Sequence, residues 1–234
     1  MKTGKPIRDF VHETGTAPFP YTQITFSPQG TMIATGGEYQ ATLWDVQTGA
    51  KIRSFPRDID DSPFGTQVSF SSDGSWLFTS GYDGASLWDM KTGKKLRTFP
   101  GLQARDASQY GHLSSDDKYV LTTDKFQVNI WNAITGKKLH TFDENLYGMF
   151  TPDAKFVLTW RMDSNSDYSG KLVLWDIKTF QEKGVFQTSS SYLKFSPDSR
   201  YFIESGNPVR LWEIATGKTL MNIRYGFVIG FFTR

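Results

Sequence analysis

Apolar and polar positions alternate along short runs that turn residues separate. In "QVSFS" from Gln67, Val68 and Phe70 fall on one face of a strand. "SSDG" follows, with Asp73 and Gly74 where turn chemistry prefers them. "SWLFTS" reads as a second, more apolar strand and "ASLWD" as a third. "MKTGK" then turns into a fourth, "KLRTF". Helical periodicity is absent over any useful length. Period-2 runs of β-branched and aromatic residues, broken by Gly, Asp and Ser, predict antiparallel all-β structure.

The same unit recurs. A Trp followed by an acid or Asn stands at Trp44-Asp45, Trp88-Asp89, Trp131-Asn132, Trp175-Asp176 and Trp212-Glu213, at intervals of 44, 43, 44 and 37. Shortly after each Trp comes a turn: "TGA" at 48, "TGK" at 92, 135 and 216, and "TFQ" at 179. Earlier in each unit an apolar residue precedes a Ser/Thr turn: "FSPQG", "FSSDG", "LSSDD", "FTPDA" and "FSPDS". The units cover 22–56, 66–100, 109–143, 146–187 and 191–224.

Four short strands repeated at about this length, with a Trp-Asp pair in the third, resemble the WD-repeat β-propeller family. The resemblance implies an all-β propeller of four-stranded antiparallel blades. It implies that Trp44, Trp88, Trp131, Trp175 and Trp212 are structural, packed between blades. It also implies a non-enzymatic protein-interaction scaffold without a cofactor. The pattern departs from the family in two ways. No unit opens with Gly-His. The Asp expected between the second and third strands is irregular, the nearest candidates being Glu38, Asp83, Asp124 and Asn207. The family's His–Ser–Asp–Trp hydrogen-bond network is therefore not expected intact in most blades.

Residues 1–4, Met-Lys-Thr-Gly, repeat residues 90–93. Residues 1–10 therefore read as the outer strand of an incomplete blade. Residues 226–234 align with "NLYGMFTPD" and read as the first strand of another. The expectation is one propeller domain over 1–234: five complete blades plus partial strands at both termini. That describes an incomplete seven-bladed ring or a defective six-bladed one, its missing strands supplied by another segment or another chain.

Composition narrows the class. With 38% hydrophobic residues and 15% aromatic ones, the chain has enough apolar surface for a core. Its 26 basic and 24 acidic residues leave a net charge of +2 with no long run of one sign, so no nucleic-acid partner is expected. The absence of cysteine excludes disulfides and Cys-based zinc sites. No apolar stretch approaches the roughly 20 residues that span a bilayer, so no membrane partner is expected. The polar start lacks a signal segment, which favours a cytoplasmic address.

Candidate chemistry is sparse. His12, His112 and His140 lie in different units without motif-spaced partners, and no nucleophile elbow, P-loop or zinc-protease motif occurs. Asp163, Asn165 and Asp167 alternate as in a calcium loop, but Tyr168 and Leu174 replace its usual Gly and Glu. A polar loop without metal is expected there. Asp58, Asp60 and Asp61 cluster as a docking patch for a basic partner, a metal site or a solvated loop.

The turns at one end of the units are nearly uniform, whereas the connections at the other end vary. Loops on a rigid scaffold are where binding concentrates. Each first strand begins at that varied end, at Gln23, Gln67, Tyr110, Tyr147 and Tyr192. Together with Asp58, Asp60 and Arg105 these residues form the expected protein- or peptide-binding surface. Packing against neighbouring loops is the alternative for the five strand starts. An enzyme or small-ligand binder using a central channel is the alternative function.

Overall fold

The computed structural model describes residues 10, 23–37, 39–57, 66–81, 84–101, 111–124, 126–144, 147–162, 170–188, 192–206 and 208–224. The described residues contain strands and no helix, and they build five four-stranded antiparallel sheets. Sheet one is β1 (Ile24–Phe26), β2 (Met32–Gly36), β3 (Gln40–Asp45) and β4 (Lys51–Pro56). Sheet two is β5 (Gln67–Phe70), β6 (Trp76–Gly81), β7 (Gly84–Asp89) and β8 (Lys95–Phe99). Sheet three is β9 (Gly111–Leu113), β10 (Tyr119–Asp124), β11 (Gln127–Asn132) and β12 (Lys138–Asp143). Sheet four is β13 (Tyr147–Phe150), β14 (Phe156–Met162), β15 (Gly170–Asp176) and β16 (Glu182–Thr188). Sheet five is β17 (Leu193–Phe195), β18 (Tyr201–Glu204), β19 (Val209–Glu213) and β20 (Thr219–Ile223). In every sheet the strands lie side by side in chain order, so each is a propeller-type blade. The expected terminal strands at 1–10 and 226–234 lie outside the described residues, Phe10 excepted.

The chain forms two compact units, Met1–Leu113 and Ser114–Arg234. In the first, sheets one and two share a core of Ala34, Ala41, Leu43 and Phe55 with Val68, Leu77 and Trp88. In the second, Leu121, Val128, Ile130 and Phe142 meet Val157 and Ile177. A further cluster there joins Leu158, Leu172, Leu174 and Phe186 to Leu193, Phe202, Trp212 and Ile214. The second and third strands of sheets one to three are buried almost throughout, which is why they read as continuous apolar runs.

A phenylalanine near the end of an outer strand meets the Trp of the next sheet edge-on or tilted. The ring centroids are 5.4 Å apart for Phe55–Trp88, 4.7 Å for Phe142–Trp175 and 5.6 Å for Phe186–Trp212. Phe10 stands 6.0 Å from Trp44 in the same way. Burying each such ring contributes roughly 1.5–3 kcal/mol.

The Trp also marks a β-bulge. All five third strands shift register against their fourth strands between the Trp and the residue before it. One outer-strand residue is left over at each bulge: Ile52, Leu96, Leu139, Lys183 or Leu220. The extra residue lies on the outer strand, and the Trp keeps unshifted register with the second strand.

Each indole N–H then finds an acceptor on the second strand. Trp44 donates to Thr35 Oγ1 at 2.9 Å, Trp88 to Thr79 at 2.9 Å, Trp131 to Thr122 at 2.9 Å and Trp175 to Thr159 at 2.8 Å. In every case that threonine lies two residues beyond the one paired with the Trp. Sheet five differs. Glu204 holds the equivalent place, fully buried, and accepts from Trp212 Nε1 at 3.2 Å and from Arg210 Nη1 at 2.8 Å. A charge in that position requires a paired cation, which Arg210 supplies. The Trp anchor of this chain is therefore a two-residue contact that needs neither the Gly-His opening nor a regularly placed Asp.

Candidate functional site

The first and third turns of each sheet share one end. At the first turn a hydroxyl takes the N–H that opens the second strand. Ser71 Oγ accepts from Trp76 N at 2.9 Å, Ser114 from Tyr119 N at 3.0 Å, Thr151 from Phe156 N at 3.1 Å and Ser196 from Tyr201 N at 3.0 Å. The same hydroxyls donate to Asp73, Asp116, Asp153 and Asp198 at 2.6–2.8 Å. The Ser75 backbone N–H, with the Ser75 and Ser71 hydroxyls, holds the Asp73 carboxyl below its ordinary value. Asp198 is lowered by the Ser196 hydroxyl and the Arg200 N–H.

At the third turn the acid of the Trp-Asp pair does the equivalent job. Asp45 Oδ1 accepts from Thr48 N at 2.6 Å and Thr48 Oγ1 at 2.7 Å. Asp89, Asn132 and Asp176 repeat the arrangement with Thr92, Thr135 and Thr179. In all five third turns the residue immediately after the Thr adopts the left-handed region. The positions are Gly49, Gly93, Gly136, Phe180 and Gly217. One oxygen of each recurring acid at this end is thus engaged in the chain's own turn.

Neighbouring sheets are tied at this end within each unit. Gln29 Nε2 donates to the Asp73 carbonyl at 2.9 Å in the first unit. In the second, Ser115 Oγ donates to the Pro152 carbonyl at 2.6 Å, and Asp153 N to Ser199 Oγ at 2.9 Å.

The opposite end carries the second turns and the starts of the first strands. In the first unit, Gln23 is exposed, and its Oε1 accepts from Val68 N at 2.7 Å, clamping sheet one to sheet two. Gln67 is half-buried. Gly36 is required beside them, because an added Cβ would run into the Thr66 carbonyl oxygen. Thr66 Oγ1 is buried without a hydrogen-bond partner. It lines a polar cavity of about 20 Å³ between these sheets, space for one water.

In the second unit, Tyr192 is 68% exposed. Tyr147 departs from the expected partner surface: it is only 5% exposed, and its ring stacks on Trp160 at 5.7 Å. Burial and then the Glu204 charge push its phenol above the ordinary value. The cause is Trp160, a tryptophan outside the repeat series, which gives Tyr147 a flat apolar surface to cover. Asp58, Asp60, Arg105 and Tyr110 lie outside the described residues, as does 163–169 of the acidic loop.

Two aromatics at this end carried no repeat marker. Tyr39 and Phe126 sit in second turns, 41% and 65% exposed. The available signal was an aromatic among polar turn residues. Of the repeat tryptophans, Trp44, Trp88, Trp131 and Trp212 are buried in cores and Trp175 is half-buried. Among the described residues no group of three or more His, Asp or Glu is placed to hold a metal.

The family model for the WD domain, G-beta repeat, matches residues 62–89, which run from the approach to β5 through the Trp88-Asp89 pair. Comparison with curated proteins finds no match. Repeats of this family generally mediate protein–protein interaction, and their propellers are typically non-enzymatic. The matched segment is one copy of a unit whose bulge and indole contact recur in all five sheets, and the match supports a WD-repeat family.

Proposed function

We propose that this chain is a non-enzymatic scaffold that binds a protein or peptide at the end of its sheets bearing the second turns and the connections. The observation that carries this reading is a contrast between the two ends. At one, the recurring Ser, Thr and Asp side chains are taken up by internal hydrogen bonds. At the other, the aromatic rings of Tyr39, Phe126 and Tyr192 are left 41–68% exposed. Exposed aromatics on a rigid frame suit an interface, giving large contact area at little ordering cost. The proposed surface includes Gln23 and Gln67 in the first unit and Tyr192 in the second. In the connections between sheets it includes Asp58, Asp60, Arg105 and Tyr110.

The test is capture of proteins from an extract of the source cells by the full chain and by paired variants. Tyr39→Asp with Tyr192→Asp should release a protein that the wild type retains. Ile134→Asp, in a third turn at the other end where Ile134 is 60% exposed, should retain it. Release by Ile134→Asp alone, or turnover of a small substrate by the purified chain, would contradict the reading.

A further inference from the structure

In the second unit an open cleft of about 540 Å³ lies between sheets four and five, at the end bearing the first and third turns. Its apolar floor is Phe156, Leu174 and Ile214. The carboxylates of Asp176 and Glu213 stand on its walls, with Lys183 and Arg200 beside them.

The cleft has a local cause. In each outer strand, one residue pairs with the third-strand residue just before the Trp. These are Arg53, Arg97, His140, Gly184 and Met221. Arg53 extends its guanidinium against Gly93, in the third turn of the next sheet, so closely that a Cβ on Gly93 would collide with it. His140 lies flat on Phe180, the equivalent turn residue of sheet four, with ring centroids 4.4 Å apart. Both junctions are thus closed by a planar, nitrogen-bearing group laid on the turn. At sheets four and five the closing side chain is missing. A Cβ at Gly184 or at Gly217 would meet nothing nearer than the Phe186 ring, at 3.9 Å.

We propose that this cleft receives an arginine side chain from a partner protein, filling the place that Arg53 fills from within its own chain. The aliphatic stem suits the Phe156, Leu174 and Ile214 lining, and the planar guanidinium suits the Glu213 carboxylate. Arg200 lies over the Tyr201 ring at 5.2 Å and in the field of Asp198, whereas the charge of Lys183 already acts on Asp176, so Glu213 is the carboxylate offered to the guanidinium. Asp176 Oδ1 accepts from the Lys178 N–H and from Thr179, and Glu213 Oε2 accepts from the Thr216 hydroxyl, so each acid is engaged through one oxygen. The second oxygen of the Glu213 carboxylate is the proposed acceptor for the guanidinium. The site is separate from the interaction end argued above and does not depend on it.

The test is titration of the full chain with N-acetyl-arginine amide, followed by NMR or calorimetry. N-acetyl-norleucine amide and N-acetyl-phenylalanine amide are the comparisons. Saturable binding about tenfold tighter for the arginine amide is expected. Gly184→Arg should abolish it while keeping the wild-type thermal midpoint, because the new side chain copies the junction closed by Arg53. Glu213→Gln should weaken it, and it serves as the readout if Gly184→Arg does not fold. Equal binding of the norleucine or phenylalanine amide, or arginine binding unchanged in Glu213→Gln and in a folded Gly184→Arg, would overturn the proposal.

Discussion

Phe180 lies flat on His140, the two ring planes 6° from parallel. Phe180 has φ 55°, at the turn position where the sister turns hold Gly49, Gly93, Gly136 and Gly217. A side chain in that region costs roughly 1–2 kcal/mol, which the ring contacts with His140 and Phe142 offset. A double-mutant cycle of Phe180→Gly and His140→Ala, read by urea unfolding, should give a coupling of about 0.5–1.5 kcal/mol. Strict additivity would show that the stack contributes nothing.

The Trp–Thr contact predicts a second effect. Thr79→Val preserves shape but leaves the buried Trp88 indole N–H without its acceptor. The expected loss is about 1–3 kcal/mol. Glu204→Ala should cost more, because Arg210 and Trp212 both lose the buried carboxylate. Equal or smaller loss in Glu204→Ala would contradict the account of sheet five.

Stability should fall with acid before the carboxylates titrate. Desolvation pushes the His112 imidazole from 6.5 down to about 4, and His140 is lowered as well, chiefly by burial. Between those values the unfolded chain binds more protons than the folded one. The histidine contribution is therefore complete above pH 6.5 and is lost as pH falls toward about 4. Urea midpoints measured at pH 7.5 and pH 5 should differ by less in His112→Phe than in wild type. An unchanged difference would sink this assignment.

Much of this architecture was legible in the chain. The period-2 runs and the Trp-acid pairs located the blades because strand alternation and turn chemistry are local. The threonine acceptors were not, because Thr35 and Trp44 meet only once the register of β2 and β3 is fixed. Tyr147 misled for a related reason. Its place at a strand start matches Tyr192, but Trp160 draws it into the core. The cleft beside Gly184 depends on a side chain that is absent, which no motif marks.

Gly36 tests how closely the first two sheets approach. An added Cβ there meets the Thr66 backbone, which cannot rotate away. Gly36→Ala should destabilise by about 1–3 kcal/mol in chemical unfolding. Gly30→Ala, where nothing lies near, should show only the modest cost of its positive φ. A reversed order would refute the close approach.

The central claim, a protein partner at the connection-bearing end, is tested most directly by oxidative footprinting of the chain, free and with its captured partner. The account predicts that Tyr39, Phe126 and Tyr192, exposed in the free chain, become protected, while Ile134 keeps its reactivity. Protection of Ile134 with the three aromatic rings unchanged would contradict it.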